Sequence, residues 1–372
     1  MIYDLIAVGG GVSGMVAAIC AARRGKKVLI LEKGERVGRK LLATGNGKCN
    51  LANTAPVAGK YNSDFALTAL REFPLEAQIE FWRSIGLVTR VTEGRVYPYS
   101  EQASGVLNAL RAALTEYGVE TLVSAGAERI EGSYTVNGVY RAKELLLATG
   151  SNASFGYESL ELLLPYGHRS TPRIPALVPL MTDKRNLKGL KGIRARVTAA
   201  LKANGKEIAR TSDEILFKDN GVSGTAVFTL SGALARKGIT DGSASLAIDF
   251  APEFTEKELG ALFIGGVEPE GMFHKEIAAA IKRIAASEGS KPERVAKNFT
   301  LDCVRPGPKE LAQVMCGGLE TAGFYPDTLE SRYSPGLYAA GEALDVDGEC
   351  GGFNLMWAVA SGMAVGKKCC SK

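Results

Sequence analysis

Three hydropathy patterns follow one another along this chain, and each predicts a different kind of element. The first is the unbroken apolar run. Leu5 to Val8 and Val28 to Leu31 contain no polar residue, as expected of parallel strands buried on both faces. Between them, Met15 to Ala22 are small and apolar, suited to a helix packed closely on a sheet. Arg23, Arg24 and Gly25 end that helix with charge and a C-cap residue. Helical spacing returns from Phe65 to Ile85, interrupted at Pro74. It appears again in an amphipathic helix N-capped by Ser100 that runs through Leu114 and ends at Gly118. A strand-rich stretch follows, with Asn137-Gly138 as a hairpin turn and a last apolar strand, Glu144 to Ala148, that stops at Ala148-Thr149-Gly150.

The second pattern begins at about Met181. Apolar and polar residues alternate there as in half-exposed antiparallel strands, with Asn204-Gly205 as a turn. Thr255-x-x-Glu258 reads as a capping box that opens a helix, and His274 to Glu288 form another helix, basic on its outer face. His274 itself reads as a surface residue. The third pattern closes the chain. A strand from Leu337 to Ala340 leads through Gly341-Glu342 and a polar glycine loop into a helix, Leu355 to Val365, that is apolar all round and therefore buried. These patterns predict an α/β fold: a doubly wound, Rossmann-like domain from residues 1–180 and 315–372, with residues 181–314 inserted as a separate domain of strands and then helices.

Candidate chemistry concentrates in the first domain. Between the first strand and helix lies Gly9-x-Gly11-x-x-Gly14, with Ser13 inside it. The first glycine allows a tight turn, the second lets backbone approach a pyrophosphate, and the third permits close helix–strand contact. The helix start offers N–H groups and a positive dipole end to phosphates. Glu32 ends the second strand, where a carboxylate can accept both hydroxyls of an adenosine ribose, which argues against the 2′-phosphate of NADP at this site. FAD and NAD remain. The stretch from Lys33 to Asn53 shows no strand or helix pattern and is long enough to run beneath an extended FAD. In it, Arg39 and Lys40 would meet adenine-side or pyrophosphate oxygens, and Gly45 and Gly47 would let the backbone approach closely. Cys49, in the same loop, reads as a small packing residue. Thr149 and Gly150 lie where a buried strand ends, the usual position of a ligand crevice. Gly351, Gly352, Phe353 and Asn354 sit at the start of the last helix. There the dipole end and the Asn354 amide would address the N1–C2 edge of a flavin.

Composition narrows the picture further. A net charge of +5, 46% hydrophobic and 23% charged residues are ordinary for a globular chain. The Lys and Arg residues are scattered without an aromatic-interleaved basic stripe, so nucleic acid is not an expected partner. The seven cysteines, Cys20, Cys49, Cys303, Cys316, Cys350, Cys369 and Cys370, show no CxxC spacing, and there are only two histidines. Neither a metal site nor a disulfide framework is expected. No apolar run approaches a membrane span, and the chain opens in a strand without the regions of a signal peptide. A cytoplasmic, reduced setting is expected.

"GRKLLATGNGKCNLAN" (38–53) and "AGEALDVDGECGGFNLMWA" (340–358) together resemble the BaiN/RdsA family of NAD(P)/FAD-dependent oxidoreductases. "GRVYPYSEQAS", "IPALVPL" and "NGVSGTAVF" are similar to family segments too, so the resemblance covers almost the whole chain. It implies an FAD domain of the glutathione-reductase superfamily, interrupted by an inserted strand-and-helix domain. It also implies FAD contacts at Gly9, Gly11, Ser13, Gly14, Glu32, Lys33, Arg39, Lys40, the loop from Gly45 to Asn50, Ala127, Gly341, Glu342, Phe353 and Asn354. The compact "SNASFGYESLELLLPYGH" (151–168) departs from the family, and no contact is carried over between Ser151 and Tyr157.

The function expected is hydride transfer between flavin N5 and a small organic substrate, by enone reduction or amine oxidation. No second glycine-rich nucleotide turn is present in the sequence, so NADH or NADPH would visit the flavin face directly as a transient reductant. No acid–base residue is singled out; Tyr97, Tyr99, Tyr157 and His168 are the candidates. The alternative is a flavin-binding protein that acts through an RNA or protein partner.

Overall fold

The computed structural model describes residues 1–154 and 156–369; Cys370 lies outside them. Its contacts divide the chain into two units, Met1–Arg173 with the chain from Val314 on, and Ile174–Gln313. The inserted unit thus begins at Ile174, ahead of residue 181, because Arg173 is still bonded within the first unit, to the carbonyls of Gly150 and Glu342.

The first unit is built on five parallel strands: β1 (Ile2–Val8), β2 (Val28–Leu31), β3 (Glu120–Leu122), β4 (Tyr140–Leu147) and β5 (Leu337–Ala339). Their spatial order is β3-β2-β1-β4-β5. The chain winds outward from β1 through β2 to β3, then crosses to β4 on the other side of β1. That reversal opens a crevice at the carboxyl ends of β1 and β4. Val8 pairs with both Leu31 and Leu147, and Leu147 pairs with Ala339, so these strands end level with one another. The apolar runs have their expected burial: every residue of β2 and Leu5 to Val8 of β1 are buried. An antiparallel hairpin, Ile130–Glu131 with Thr135–Val136, extends the sheet beyond the start of β4. Asn137 (φ 54°) and Gly138 (φ 70°) make the turn back into β4 in the left-handed region.

Two helices flank the crevice, α1 (Val12–Arg23) and α2 (Phe353–Lys368). They pack backbone to backbone. A Cβ on Gly362 would lie 2.6 Å from the Ser13 carbonyl oxygen, and one on Gly366 2.6 Å from that of Ala17. The small residues of α1 and these two glycines of α2 therefore serve one contact.

Two local expectations are corrected. The stretch from Lys33 to Asn53 is not wholly irregular. Lys40–Gly47 coils into 3₁₀ turns kinked at Thr44 to Asn46, and Ala52–Asn53 pairs with Arg95–Pro98, which in turn pairs with Thr89–Thr92. The helix Ala103–Glu116 is capped at Gln102, not at Ser100. Glu101 intervenes with φ 50°, its carboxylate tied to Lys48 and Arg90, and this displaces Ser100 from the helix start.

The second unit is a closed antiparallel barrel of Leu180–Met181, Gly221–Ser223, Lys206–Lys218, Arg194–Ala203, Ala244–Asp249 and Phe299–Pro306. Closure comes from Leu180 against Pro306 and Met181 against Arg305. Asn204 and Gly205 turn between the two longest strands, both at positive φ. Phe217, Phe250 and Phe299 fill the unit's own core. The capping box is made as expected: Glu258 N donates to Thr255 Oγ1 and Thr255 N donates to Glu258 Oε2. His274 caps Lys275–Glu288, its Nδ1 accepting from Glu276 N. No helix among the described residues is long and apolar enough to cross a membrane.

Candidate functional site

At the carboxyl edge of the sheet, β1 turns into α1 at Gly9, whose φ is 107°. A Cβ there would lie 2.4 Å from the Ala148 carbonyl oxygen, and one on Gly14 would lie 2.1 Å from that of Gly9. The turn is therefore pressed against the end of β4 and closed by the start of its own helix. Gly11 is the N-cap of α1, and no side chain caps that helix.

Glu32 closes one side of the turn. Its Oε2 accepts from Gly10 N at 2.8 Å and its Oε1 from Gly34 N at 2.6 Å. Ser124 N and Ala125 N donate to the carbonyls of Gly34 and Glu32, which lays the strip leading to Ala127 alongside Glu32 and Lys33. Lys33 Nζ lies 5.2 Å from the centre of the Tyr157 ring, and Arg39 Nη1 donates to the Tyr157 hydroxyl at 3.2 Å. Glu32, Lys33, Arg39, Ala127 and Tyr157 thus form one wall.

A second cluster joins the ends of β4 and β5. Glu342 Oε2 accepts from Lys40 Nζ at 2.5 Å, while Oε1 accepts from Ser151 Oγ at 2.8 Å and Met315 N at 2.9 Å. Lys40 also donates to Ser151 Oγ at 3.1 Å. Burial pushes the Glu342 carboxyl up, but the Lys40 ammonium and the donated hydrogen bonds outweigh it and hold the group below the usual carboxylate range. Gly341 is fixed by α2, with Gly341 N donating to Ser361 Oγ and Trp357 Nε1 donating to the Gly341 carbonyl. A Cβ on Gly341 would meet Ser13 Oγ at 2.6 Å.

The third cluster is the loop that carries Gly45, Gly47, Cys49 and Asn50, set against the start of α2. Asn53 Nδ2 donates to the Gly351 carbonyl at 2.8 Å. A Cβ on Gly352, the N-cap of α2, would lie 2.6 Å from Asn50 Oδ1. Tyr61 donates to the Phe353 carbonyl at 2.8 Å, and the two rings meet edge to face. Cys49 is fully buried and desolvation pushes its thiol up to about 12, which suits a packing residue and not a redox thiol. Two buried oxygens of this site, Asn50 Oδ1 and Thr149 Oγ1, have no hydrogen-bond partner among the described residues.

Three sequence expectations change here. The Asn354 amide does not face outward: its Oδ1 accepts from Gly348 N and its Nδ2 donates to the Gly348 carbonyl, both at 2.9 Å. It closes the loop before α2, and any contribution of this helix start to a ligand comes from the backbone. His168 is not an acid–base group of the site. It is buried, stacked 4.3 Å from Phe324, with Nε2 on Ser331 Oγ, and desolvation pushes it down to about 4. Ser151 and Tyr157, from the segment where no contact was carried over, stand beside Lys40 and Arg39. Of the remaining tyrosines, Tyr99 is 65% exposed and Tyr97 sits in a strand opposite Arg90. Arg173 was missed altogether, since its partners lie far away along the chain and no local spacing marks it.

Known proteins share this architecture. The HI0933-like protein Rossmann domain matches residues 3–368. A 3-dehydro-bile acid delta(4,6)-reductase of Clostridium scindens is 34% identical over 97% of both chains. A ribosomal RNA dihydrouridine synthase of Haemophilus influenzae is 28% identical over 96% of both. Among solved structures, 3-ketosteroid delta1-dehydrogenase from Sterolibacterium denitrificans has the same fold, with a TM-score of 0.52 over 98% of each chain at 15% identity.

Proposed function

The chain belongs to the HI0933-like Rossmann-domain family of FAD-dependent oxidoreductases, and we propose that it reduces a carbon–carbon double bond conjugated to a carbonyl group, with NADH or NADPH as the reductant. FAD is its cofactor, and the residues present fit that group. The pressed turn at Gly9 and Gly14 leaves backbone beside the uncapped start of α1, where a pyrophosphate is favoured. Asn50 Oδ1 and Thr149 Oγ1 are buried oxygens that still need a donor or an acceptor.

Glu32, Lys33, Arg39 and Ala127 would hold the adenosine end, the turn from Gly9 to Gly14 the phosphates, and Lys40, Glu342, Asn50 and the start of α2 the flavin end. When bound, FAD supplies hydride exchange at its N5 atom. The chain's own part is binding, orientation and electrostatics. Glu342 is charge-paired and accepts three hydrogen bonds, so it acts as a fixed acceptor and not as a proton shuttle. The uncapped first turn of α2 presents a positive dipole end, which favours negative charge beside it.

The single observation that carries the substrate reading is full-length likeness to a reductase whose name places double bonds beside a 3-dehydro position. Anaerobic mixing of the yellow protein with NADH or NADPH should bleach the flavin absorbance, and a steroid 4-en-3-one should restore it, with a product two hydrogens heavier. Bleaching that the enone leaves untouched while a primary amine is oxidised in air would overturn the substrate class.

A second reading has its own support. From Lys184 to Lys206 the inserted unit carries eight Lys or Arg residues and no Asp or Glu, and Lys184, Lys188 and Arg196 are exposed. A uracil ring also presents a double bond conjugated to a carbonyl, and one relative is a ribosomal RNA dihydrouridine synthase. Salt-sensitive binding of an rRNA fragment, with uridine loss on NADPH addition, would favour that substrate.

A further inference from the structure

The chain leaves the FAD unit at Arg173 and returns to it at Val314. Arg173 is almost wholly buried, its side chain 8% exposed. Nε donates to Glu158 Oε2 at 2.6 Å, Nη2 donates to the carbonyls of Gly150 (3.3 Å) and Glu342 (2.9 Å), and Nη1 donates to the carbonyl of Gly317. These partners lie just beyond β4, just beyond β5 and on the returning segment. A planar guanidinium is the one side chain that can serve several such acceptors at fixed angles, which Lys cannot. Glu342 reinforces the arrangement from the other side, because its Oε1 accepts from Met315 N on the same returning segment.

From this geometry we infer that Arg173 is a positioning residue for the cofactor: it fixes the backbone of Gly150 and Glu342 at the crevice and ties both chain crossings to that edge. The inference rests on the assignment of Gly150 and Glu342 to FAD. It makes cofactor binding and the order of the returning segment one coupled event. With Gly150 and Glu342 held, FAD meets a formed edge; with FAD bound, the segment from Met315 to Gly318 is held more firmly.

Arg173→Lys keeps the charge and removes the fork. FAD titration should show binding weakened by about tenfold or more, the expected loss for one hydrogen bond to a charged group. Hydrogen exchange supplies a readout independent of turnover. In the unaltered protein FAD should slow exchange at the Met315 and Gly318 amides, and in Arg173→Lys that FAD-dependent slowing should disappear. Glu158→Gln, which leaves the three carbonyl contacts in place, should shift both readouts in the same direction by less, and it decides the matter if Arg173→Lys does not fold. Equal lowering of the melting temperature with and without FAD, at unchanged affinity, would show a purely structural arginine and overturn the inference. Exchange at Met315 that responds to FAD in the variant as in the parent would overturn it too. If the unaltered protein bound no FAD, the functional reading itself would fall.

Discussion

Glu32 does two jobs with one carboxylate. Both oxygens accept backbone N–H groups, from Gly10 and Gly34, so the acid that would address a ribose also holds the turn that addresses the phosphates. Glu32→Ala should therefore lower the stability of the cofactor-free protein, at about 1.5–3 kcal/mol for each charge-assisted bond lost, as well as weaken FAD binding. Melting curves and FAD titration read the two effects separately, and full FAD affinity in this variant would contradict the assignment. The place of Glu32 beside the glycine turn was legible because strand, turn and acid stand at fixed spacing in one stretch. Arg173 and Ser151 were not, since only the folded sheet brings their partners to them. His168 carries a different residue-scale consequence. Its pKa is pushed from 6.5 to about 4 by burial, so the unfolded chain binds the proton first. The stability that neutral His168 contributes is full above pH 6.5 and is lost as pH falls from there toward 4, by about 1.4 kcal/mol per pH unit at most. The melting temperature should drop through that window, and His168→Gln should flatten the drop. A drop of the same size in the variant would assign it to other groups.

At the scale of elements, the helices of the FAD unit were legible in type and less so in their ends. α1 reads as small and apolar, and the structure gives the reason: its backbone lies against Gly362 and Gly366 of α2. Helix starts were harder, because they are set by tertiary ties that no local pattern carries, such as the ion pairs that turn Glu101 away before Ala103. α2 shows the same limit. Asn354 lies in its first turn, but its amide is committed to Gly348 on both sides. Asn354→Ala should then lose about 1–3 kcal/mol of stability, the cost of leaving buried backbone groups unpaired. The midpoint potential of bound FAD should move by less than roughly 30 mV, which is the equivalent of about 1.4 kcal/mol for a two-electron couple. A shift well beyond that with an unchanged melting temperature would return the amide to the flavin.

For the whole molecule, two separate hydrophobic clusters, one in each unit, account for the two changes of pattern along the chain. The alternating stretch announces antiparallel strands, but not that they close on themselves. Closure depends on the pairing of Leu180 and Met181 with Pro306 and Arg305, residues at opposite ends of the insert. Removal of residues 174–313, with Arg173 joined to Val314 through a short linker, should leave a folded, FAD-binding remnant without turnover. A folded remnant unable to bind FAD would contradict the division.

The same closure shapes how the chain folds. The barrel's first and last strands are hydrogen-bonded neighbours, so once it has formed, the two ends it hands back emerge side by side. Docking β5 onto β4 must close a coil of roughly 190 residues before the barrel forms, and only about 60 flexible residues once it has. Each doubling of a flexible loop costs about 0.6 kcal/mol of closure entropy, so a preformed barrel removes about 1 kcal/mol from the barrier to the last strand. The sheet that binds FAD should therefore be completed after the insert. A core variant such as Phe217→Ala, remote in sequence from every FAD-unit residue, should delay recovery of FAD binding on refolding. Recovery at the parent's rate, with barrel formation slowed, would show that the sheet does not wait.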